Sequence, residues 1–416
     1  MDHLPQARVA TLTKLVNPVT HELIDKAIAL WFPRPNSFTG EDVVEYHVHG
    51  SIAVLSALTD LLQSIKGIRY AEPGEFTKRA FLNGKFDLTE VEGLADLINA
   101  ETEVQRRQAL RQMEGHLSKV YSKWTNSLAK CLAYYEATID FGESEDIEDN
   151  ILDKARVEIK SIIDEIRTHL RDARRGERLR SGVRLAIVGE PNVGKSSLLN
   201  ILSERPAAIV SPVAGTTRDV IETALNIAGY PVIVSDTAGL RKTNDPVERE
   251  GVKRAIEKAE NADLILVVID SSCLGSLSHF VGTAARLIVV ANKIDLRSPE
   301  EESYISSMLK NEAYVSCSIS CTTSAGIDHL LQLLESELKK LCGDPLIDSP
   351  SLTRSRHRKH LRECVECLDR SQCAEMETVL AAEEVRLALT ELGRITGKVG
   401  TEDILDIIFD QFCIGK

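Results

Sequence analysis

The spacing of apolar positions changes character along this chain of 416 residues. Near the start, Ala27 to Phe32 and Val43 to His49 run apolar or alternate with polar residues, the period of strands, with Pro33, Pro35 and Gly40 marking turns between them. From Leu94 to Phe141 the apolar residues recur at helical spacing. The acidic stretch GESEDIEDN (Gly142 to Asn150) interrupts the pattern, and Ile151 to Leu170 resumes it. Between about Ser181 and Leu341 short apolar runs alternate with helical segments, which predicts a mainly parallel sheet. Helical spacing returns over His357 to Cys373, Ala381 to Gly393 and Thr401 to Phe412, the last with Asp403 in a capped start. The simplest architecture is an α/β domain (181–341) inserted into an all-α helical domain (83–180 and 342–416), behind a small α+β domain (1–82).

Length suggests two to three domains, and 43% hydrophobic residues suffice for their cores. No apolar run approaches the ~20 residues of a membrane helix, so no membrane insertion is expected. Nine cysteines without regular pairing suggest a reduced compartment. A net charge of −13 restricts any nucleic-acid contact to a local patch. Two segments qualify: RDARRGERLR (Arg171 to Arg180) and SLTRSRHRKHLRE (Ser351 to Glu363). Each reads either as a phosphate-neutralising surface or as a solvated linker and helix end. His360, Cys364 and Cys367 share a helix face, which reads as packing because no fourth ligand is evident. His47 and His49 read as residues of one sheet face, with no carboxylate or third histidine at fitting spacing.

The segment GEPNVGKSS (Gly189 to Ser197) fits G-x-x-x-x-G-K-[ST], between the apolar LAIV (Leu185 to Val188) and an apolar helical run. In that context backbone N–H groups around Asn192, Val193 and Gly194 approach phosphates. Lys195 reaches β/γ oxygens, Ser196 can hold Mg²⁺, and Ser197 continues the helix start. Four further segments follow in order. AGTTRD (Ala214 to Asp219) offers Thr216 and Thr217 as hydroxyls for Mg²⁺ and the γ-phosphate. DTAG (Asp236, Thr237, Ala238, Gly239) follows an apolar strand, with Asp236 facing Mg²⁺ through water and Gly239 donating to the γ-phosphate. NKID follows another strand, with Asn292 and Lys293 leading to Asp295, which can accept from guanine N1–H and N2–H₂. The pair Ser320–Cys321 stands where guanine GTPases usually carry Ser-Ala. Together they predict a GTP-binding domain that hydrolyses its ligand.

Leu240 occupies the place of a water-orienting glutamine and cannot orient water. Glu248, in the following loop, is the candidate for that role; its alternative is one carboxylate on a charged loop. Asn192 and carbonyls of the loop Ser211 to Thr217 can surround a K⁺ ion in place of an arginine finger, while Arg218 and Arg241 are candidate fingers in cis.

NSFTGEDVVEYHVHG (Asn36 to Gly50), PGEFTKRAFLNGK (Pro73 to Lys85), AGTTRD, DTAGLR and the terminal CIGK (Cys413 to Lys416) together resemble the tRNA-modification GTPases of the MnmE (TrmE) family, over essentially all 416 residues. TEVEGLADLINAETEVQRRQALRQ and HLRDARRGERLRSGV look more like the mitochondrial members than the bacterial ones. The resemblance implies an N-terminal tetrahydrofolate-binding domain that forms a homodimer, a helical domain and an inserted GTPase domain. It also implies an MnmG-type FAD protein as partner. The implied activity is the taurinomethyl or carboxymethylaminomethyl modification of wobble uridine in tRNA, with 5,10-methylenetetrahydrofolate as the carbon source. Matched residue by residue, Asn192, Ser211, Val213 and Thr216 fall at the family's K⁺ site, Ser196 and Thr217 at its Mg²⁺ ligands, and Glu248 at its catalytic glutamate. Glu45, Lys85 and Lys416 fall at folate contacts, and Cys413 at the family's C-terminal cysteine. The family's glycine-rich N-terminal stretch, with a folate-contacting arginine, has no counterpart in this sequence, and no Arg-rich amphipathic targeting segment is visible. The implied location is the mitochondrial matrix, or the cytoplasm for a bacterial member. A GTP-dependent ribosome-assembly factor or a GTP-gated scaffold would carry the same GTPase motifs. The chain ends in a helix and CIGK instead of the KH module such assembly factors carry.

Overall fold

The structure is a computed structural model and describes residues 5–141, 150–172, 174–190, 192–203, 222–235, 262–270, 286–297, 315–345, 351–399, 408 and 412. The chain forms two compact units, one of residues 1–95, 112–125 and 390–416, the other of 96–111 and 126–389.

In the first unit, β1 (Thr11–Val16), β2 (Leu23–Phe32) and β3 (Val43–His47) form an antiparallel sheet in that order. One face buries Ala27 and Ala29 of β2, and the other leaves Leu12 (76% exposed) paired with Ile28 (39% exposed). Strand β1 lacks strict alternation, so the sequence pattern does not predict it. Strand β3 stops at His47. His49 lies beyond it, with its ring and its backbone N–H both 2.8 Å from the Asp25 carboxylate. The reading of His47 and His49 as one strand face is therefore corrected: Asp25 supplies His49 with a local partner.

The helical stretch expected from Leu94 to Phe141 is three helices: α3 (Leu88–Ile98), α4 (Glu103–Met113) and α5 (His116–Phe141). Gly115, at φ 78°, separates the last two. Helix α3 starts earlier than expected because Asp87 and Glu90 cap each other's backbone N–H groups (3.0 and 2.7 Å). Two helices precede these, α1 (Ile52–Ser64) and α2 (Glu75–Leu82).

The second unit holds α6 (Ile151–Leu170), α7 (Arg175–Ser181), β4 (Val183–Val188), α8 (Lys195–Ser203), β5 (Glu222–Ile227), β6 (Tyr230–Ser235), β7 (Leu264–Ile269), β8 (Arg286–Ala291), β9 (Val315–Ser318), α9 (Ile327–Cys342) and α10 (Ser355–Ser371). A last helix, α11, spans Thr378–Thr396. The six strands are ordered β5-β6-β4-β7-β8-β9, all parallel except the β5–β6 hairpin. Every residue of β7 is at most 3% exposed, so its six apolar side chains each contribute about 1.5–3 kcal/mol of burial. Such two-sided burial is why this strand reads as an unbroken apolar run. Among the described residues, no helix is long and apolar enough to cross a membrane.

Candidate nucleotide-binding site

Strands β4, β7, β8 and β9 run parallel, so the residues after them leave the sheet along one edge: Gly189, Asp270, Asn292 and Ser320. Strand β4 lies between β6 and β7, where the order of connections reverses, and the crevice at such a switch point is where open α/β sheets bind ligands.

The loop after β4 is built for close backbone approach. Gly189 (φ 150°) and Gly194 (φ 101°) both adopt backbone conformations that side chains disfavour. A Cβ at Gly189 would lie 2.1 Å from Val268 O, and one at Gly194 would lie 2.2 Å from Asn292 Nδ2. Asn192 is left-handed (φ 63°) and exposed. Val193 is buried in the sheet's core cluster, which pins the loop from below. Lys195 Nζ donates to the loop carbonyls of Gly189 (2.9 Å) and Glu190 (2.6 Å). Burial lowers its pKa below the usual lysine value, with Glu190 opposing. Ser196 and Ser197 are exposed in the first turn of α8, where N–H groups and the helix dipole favour an anion.

Asn292 joins this loop to the two that follow it. It is 2% exposed, its Nδ2 donates to Val193 O (2.8 Å), and its Oδ1 accepts from Cys321 N–H (3.2 Å). Its own N–H donates to Ile269 O (2.9 Å) and its carbonyl accepts from Arg297 Nη2. Lys293, left-handed at φ 64°, places Nζ 2.8 Å from Asp270 Oδ2. Asp295 is exposed in a short 3₁₀ turn, Ile294–Leu296. Ser320 is fully buried: its N–H donates to Ala325 O (2.9 Å) and its Oγ accepts from Thr323 N–H (3.1 Å). This fixes the loop that carries Cys321, whose thiol burial pushes above its ordinary pKa.

The structure thus brings Asn192, Val193, Gly194, Lys195, Ser196, Asn292, Lys293, Asp295, Ser320 and Cys321 to one sheet edge. Ser211, Val213, Thr216, Thr217, Asp236, Thr237, Ala238, Gly239, Glu248 and Lys416 lie outside the described residues, as do Arg218, Leu240, Arg241, Asp403 and Cys413. Sequence reasoning missed Asp270 and Arg297 as partners of the NKID loop; the one signal for Asp270 is its place directly after an apolar strand.

The folate candidates lie in the other unit. Glu45 is exposed on β3, 3.6 Å from His47 Nε2. Lys85 donates to Pro35 O (2.9 Å), and Asn83 beside it donates to Thr39 O (2.8 Å), so the two matched motifs are clamped to each other.

The basic segments are largely satisfied inside the second unit. Arg178 pairs with Asp263 (2.7 Å), Arg180 and Arg354 share Asp96 (2.8 and 3.0 Å), and Arg174 pairs with Glu177 (2.6 Å). Arg358, 8% exposed, holds Asp172 (2.6 Å) and Glu177 (2.9 Å). These guanidinium groups tie α6, α7 and α10 together, which favours the linker reading over a phosphate-binding patch. Cys364 and Cys367 are buried on α10, in keeping with packing.

A phosphate loop tied through the asparagine of NKID to the Ser320–Cys321 loop, on the carboxyl edge of a mostly parallel sheet, defines a P-loop GTPase domain. Residues 88–413 match the MnmE helical domain, and residues 1–85 match the GTP-binding protein TrmE N-terminus. The chain belongs to the MnmE (TrmE) family of tRNA-modification GTPases. It is 51% identical to the mitochondrial 5-taurinomethyluridine-[tRNA] synthase subunit GTPB3 of Danio rerio, over 99% of this chain and 86% of that one. The Homo sapiens protein of the same name is also 51% identical, with the same coverage. The tRNA modification GTPase MnmE of Parvibaculum lavamentivorans is 48% identical, over 98% of this chain and 91% of that one.

Proposed function

We propose that this chain is a K⁺-activated GTPase that works as a homodimer with an MnmG-type flavoprotein to modify C5 of the wobble uridine of tRNA. The observation that carries the reading is the joint made by Asn292, which binds the phosphate loop through Val193 and the base-reading loop through Cys321. In this reading residues 1–82 bind 5,10-methylenetetrahydrofolate and dimerise, 181–341 hydrolyse GTP, and 83–180 with 342–416 form the helical domain. The names of the similar animal proteins support taurine as the second substrate and the mitochondrial matrix as the location.

Each described residue has a task. Lys195 exchanges the Gly189 and Glu190 carbonyls for β/γ-phosphate oxygens, and the N–H groups from Asn192 to Ser196 complete the cradle. Asp295 accepts from the guanine edge, and the Cys321 loop, held by Ser320 and Asn292, lies beside it. The exposed Ser196 hydroxyl and the left-handed, exposed Asn192 are free to serve the two cations, with Thr217, Ser211, Val213 and Thr216 as the remaining ligands. Mg²⁺ neutralises developing phosphate charge when bound, and K⁺ adds the charge of an arginine finger. Glu248 orients the attacking water in place of the glutamine that Leu240 replaces.

GTP turnover of the full chain in K⁺ against Na⁺ buffers of equal ionic strength tests the reading. Strong stimulation by K⁺ is expected. Equal, slow rates in the two salts would remove the cation from the mechanism.

A further inference from the structure

Helix α4 begins with a capping box. Thr102 Oγ1 accepts from Gln105 N–H (3.4 Å), and Gln105 Oε1 accepts from the N–H groups of Thr102 (3.1 Å) and Glu101 (3.2 Å). The N–H of Val104 is another donor of this first turn without an intrahelical acceptor. It donates to Gly229 O, 3.2 Å away at the tip of the β5–β6 hairpin. The Val104 side chain belongs to the same buried cluster as Leu225, Ile227 and Tyr230 of that hairpin. The tip is a two-residue turn with Ala228 (φ 51°) and Gly229 (φ 88°) both left-handed, the geometry that suits a tight hairpin. Gly229 N–H is held by Asn226 Oδ1 (2.9 Å), so the tip is a rigid piece.

The same helical turn reaches the strand that carries the phosphate loop. Gln105 Nε2 donates to Arg180 O (3.1 Å) and Gln108 Nε2 to Gly176 O (3.2 Å), both on α7, which leads through Gly182 into β4. The hairpin itself joins two of the sequence motifs. Strand β5 starts just after AGTTRD, and β6 ends at Ser235, the residue before Asp236 of DTAG. The β5–β6 register is unbroken from Glu222↔Ser235 to Ile227↔Tyr230, so the tip and the strand ends that adjoin the two segments in sequence belong to one hydrogen-bonded ladder.

We infer that the first turn of α4 positions the hairpin carrying both γ-phosphate segments, with the Val104 N–H to Gly229 carbonyl contact as its anchor. Val104 is a positioning residue, far along the hairpin from the phosphates. The inference rests on the GTPase reading above, and it assigns to the Val104–Gly229 contact a role in turnover and not in nucleotide retention. The phosphate loop and NKID loop follow β4 and β8, and neither is part of the hairpin.

Val104→Pro in the full chain deletes this N–H at a place in a helix where proline's missing donor costs no intrahelical bond, and it also replaces the buried Val104 side chain. Its kcat for GTP is expected to fall about tenfold, the scale of a small misplacement away from the chemistry, while Kd for GDP is unchanged. Glu103→Ala alters the same turn, keeps the Val104 N–H, and retains the wild-type kcat. Gly229→Ala reaches the contact from the other side, since its Cβ would lie 3.3 Å from Val104 Cγ2 on a left-handed backbone, and it should reproduce the loss of kcat. A folded Val104→Pro protein with wild-type kcat overturns the inference, as does a parallel loss of GDP affinity. Should Val104→Pro fail to fold, Gly229→Ala is judged by the same two readouts. A wild-type chain that binds GTP without turnover defeats the functional reading itself; a wild-type rate shared by the variants defeats only this inference.

Discussion

The nucleotide edge of the second unit and the N-terminal sheet of the first handle their polar groups in opposite ways. At the nucleotide edge, Asn292 and Lys293 are bonded to neighbouring loops and Lys195 and Ser320 are bonded within their own, so these polar groups are already held in place. In the N-terminal sheet, Glu45 pairs with His47 at 3.6 Å among the described residues, and Leu12, Ile28 and Tyr46 stay exposed. A preorganised pocket needs little ordering on binding, whereas an open sheet face with loosely held charges gains its order from whatever covers it. Single substitutions should therefore act sharply and locally at the nucleotide edge and weakly in the N-terminal sheet.

The largest effect is expected from Lys195→Ala. The ammonium is the positive charge held inside the phosphate loop, and its loss should lower GTP turnover on the order of a hundred- to a thousandfold. Unaltered steady-state kinetics would remove the loop from the reaction. Next comes Asn292→Ala, which strands the Val193 carbonyl and the Cys321 N–H in a buried place. Each orphaned group costs about 1–3 kcal/mol. Because both loops touch the nucleotide in the proposed reading, isothermal titration should show weakened GDP binding together with a lower Tm. Weakened binding at an unchanged Tm would mean that Asn292 touches the ligand without joining the loops.

Much of this site is legible in the sequence, because strand, glycine turn, lysine and helix start are contiguous between Leu185 and Leu202. The joints are not. Asn292 and Val193 are far apart in the chain, and nothing local distinguishes an asparagine that bonds a distant carbonyl from one on a solvated turn. The arginines of 171–180 likewise read as a basic patch until the fold brings Asp263 and Asp96 against them. In the N-terminal unit the strand over Ala27 to Phe32 shows because one of its faces is buried. Strand β1 does not show because Leu12 is left in solvent, so its side chains carry little of the alternation that marks a half-buried strand. The helical run from Leu94 hides its breaks for a related reason: apolar spacing persists across the caps at Thr102 and Gly115.

Asp295→Asn should have a smaller effect than the loss of Asn292. The loop stays intact and only the proposed acceptor for the guanine edge changes, a loss of about 1–3 kcal/mol that should appear as weaker GTP binding and a gain in relative affinity for xanthosine triphosphate. Undiminished preference for GTP would separate Asp295 from base reading.

Lys85→Ala is the smallest and tests the other side of the comparison. Its ammonium is bonded to one carbonyl, Pro35 O, on an exposed surface where Asn83 still holds the same turn through Thr39. The stability lost should be at most about 1 kcal/mol, seen as a slight fall in Tm. GTP turnover should be unchanged, because Lys85 belongs to the other unit. Binding of a reduced folate, followed by fluorescence, should weaken if Lys85 is one of its contacts. A variant that keeps folate affinity would leave Lys85 as a clamp for the Pro35 turn alone. One that loses GTP turnover in the absence of folate would show that the two regions are not independent, and the contrast between a self-supporting nucleotide edge and an open N-terminal sheet would fail.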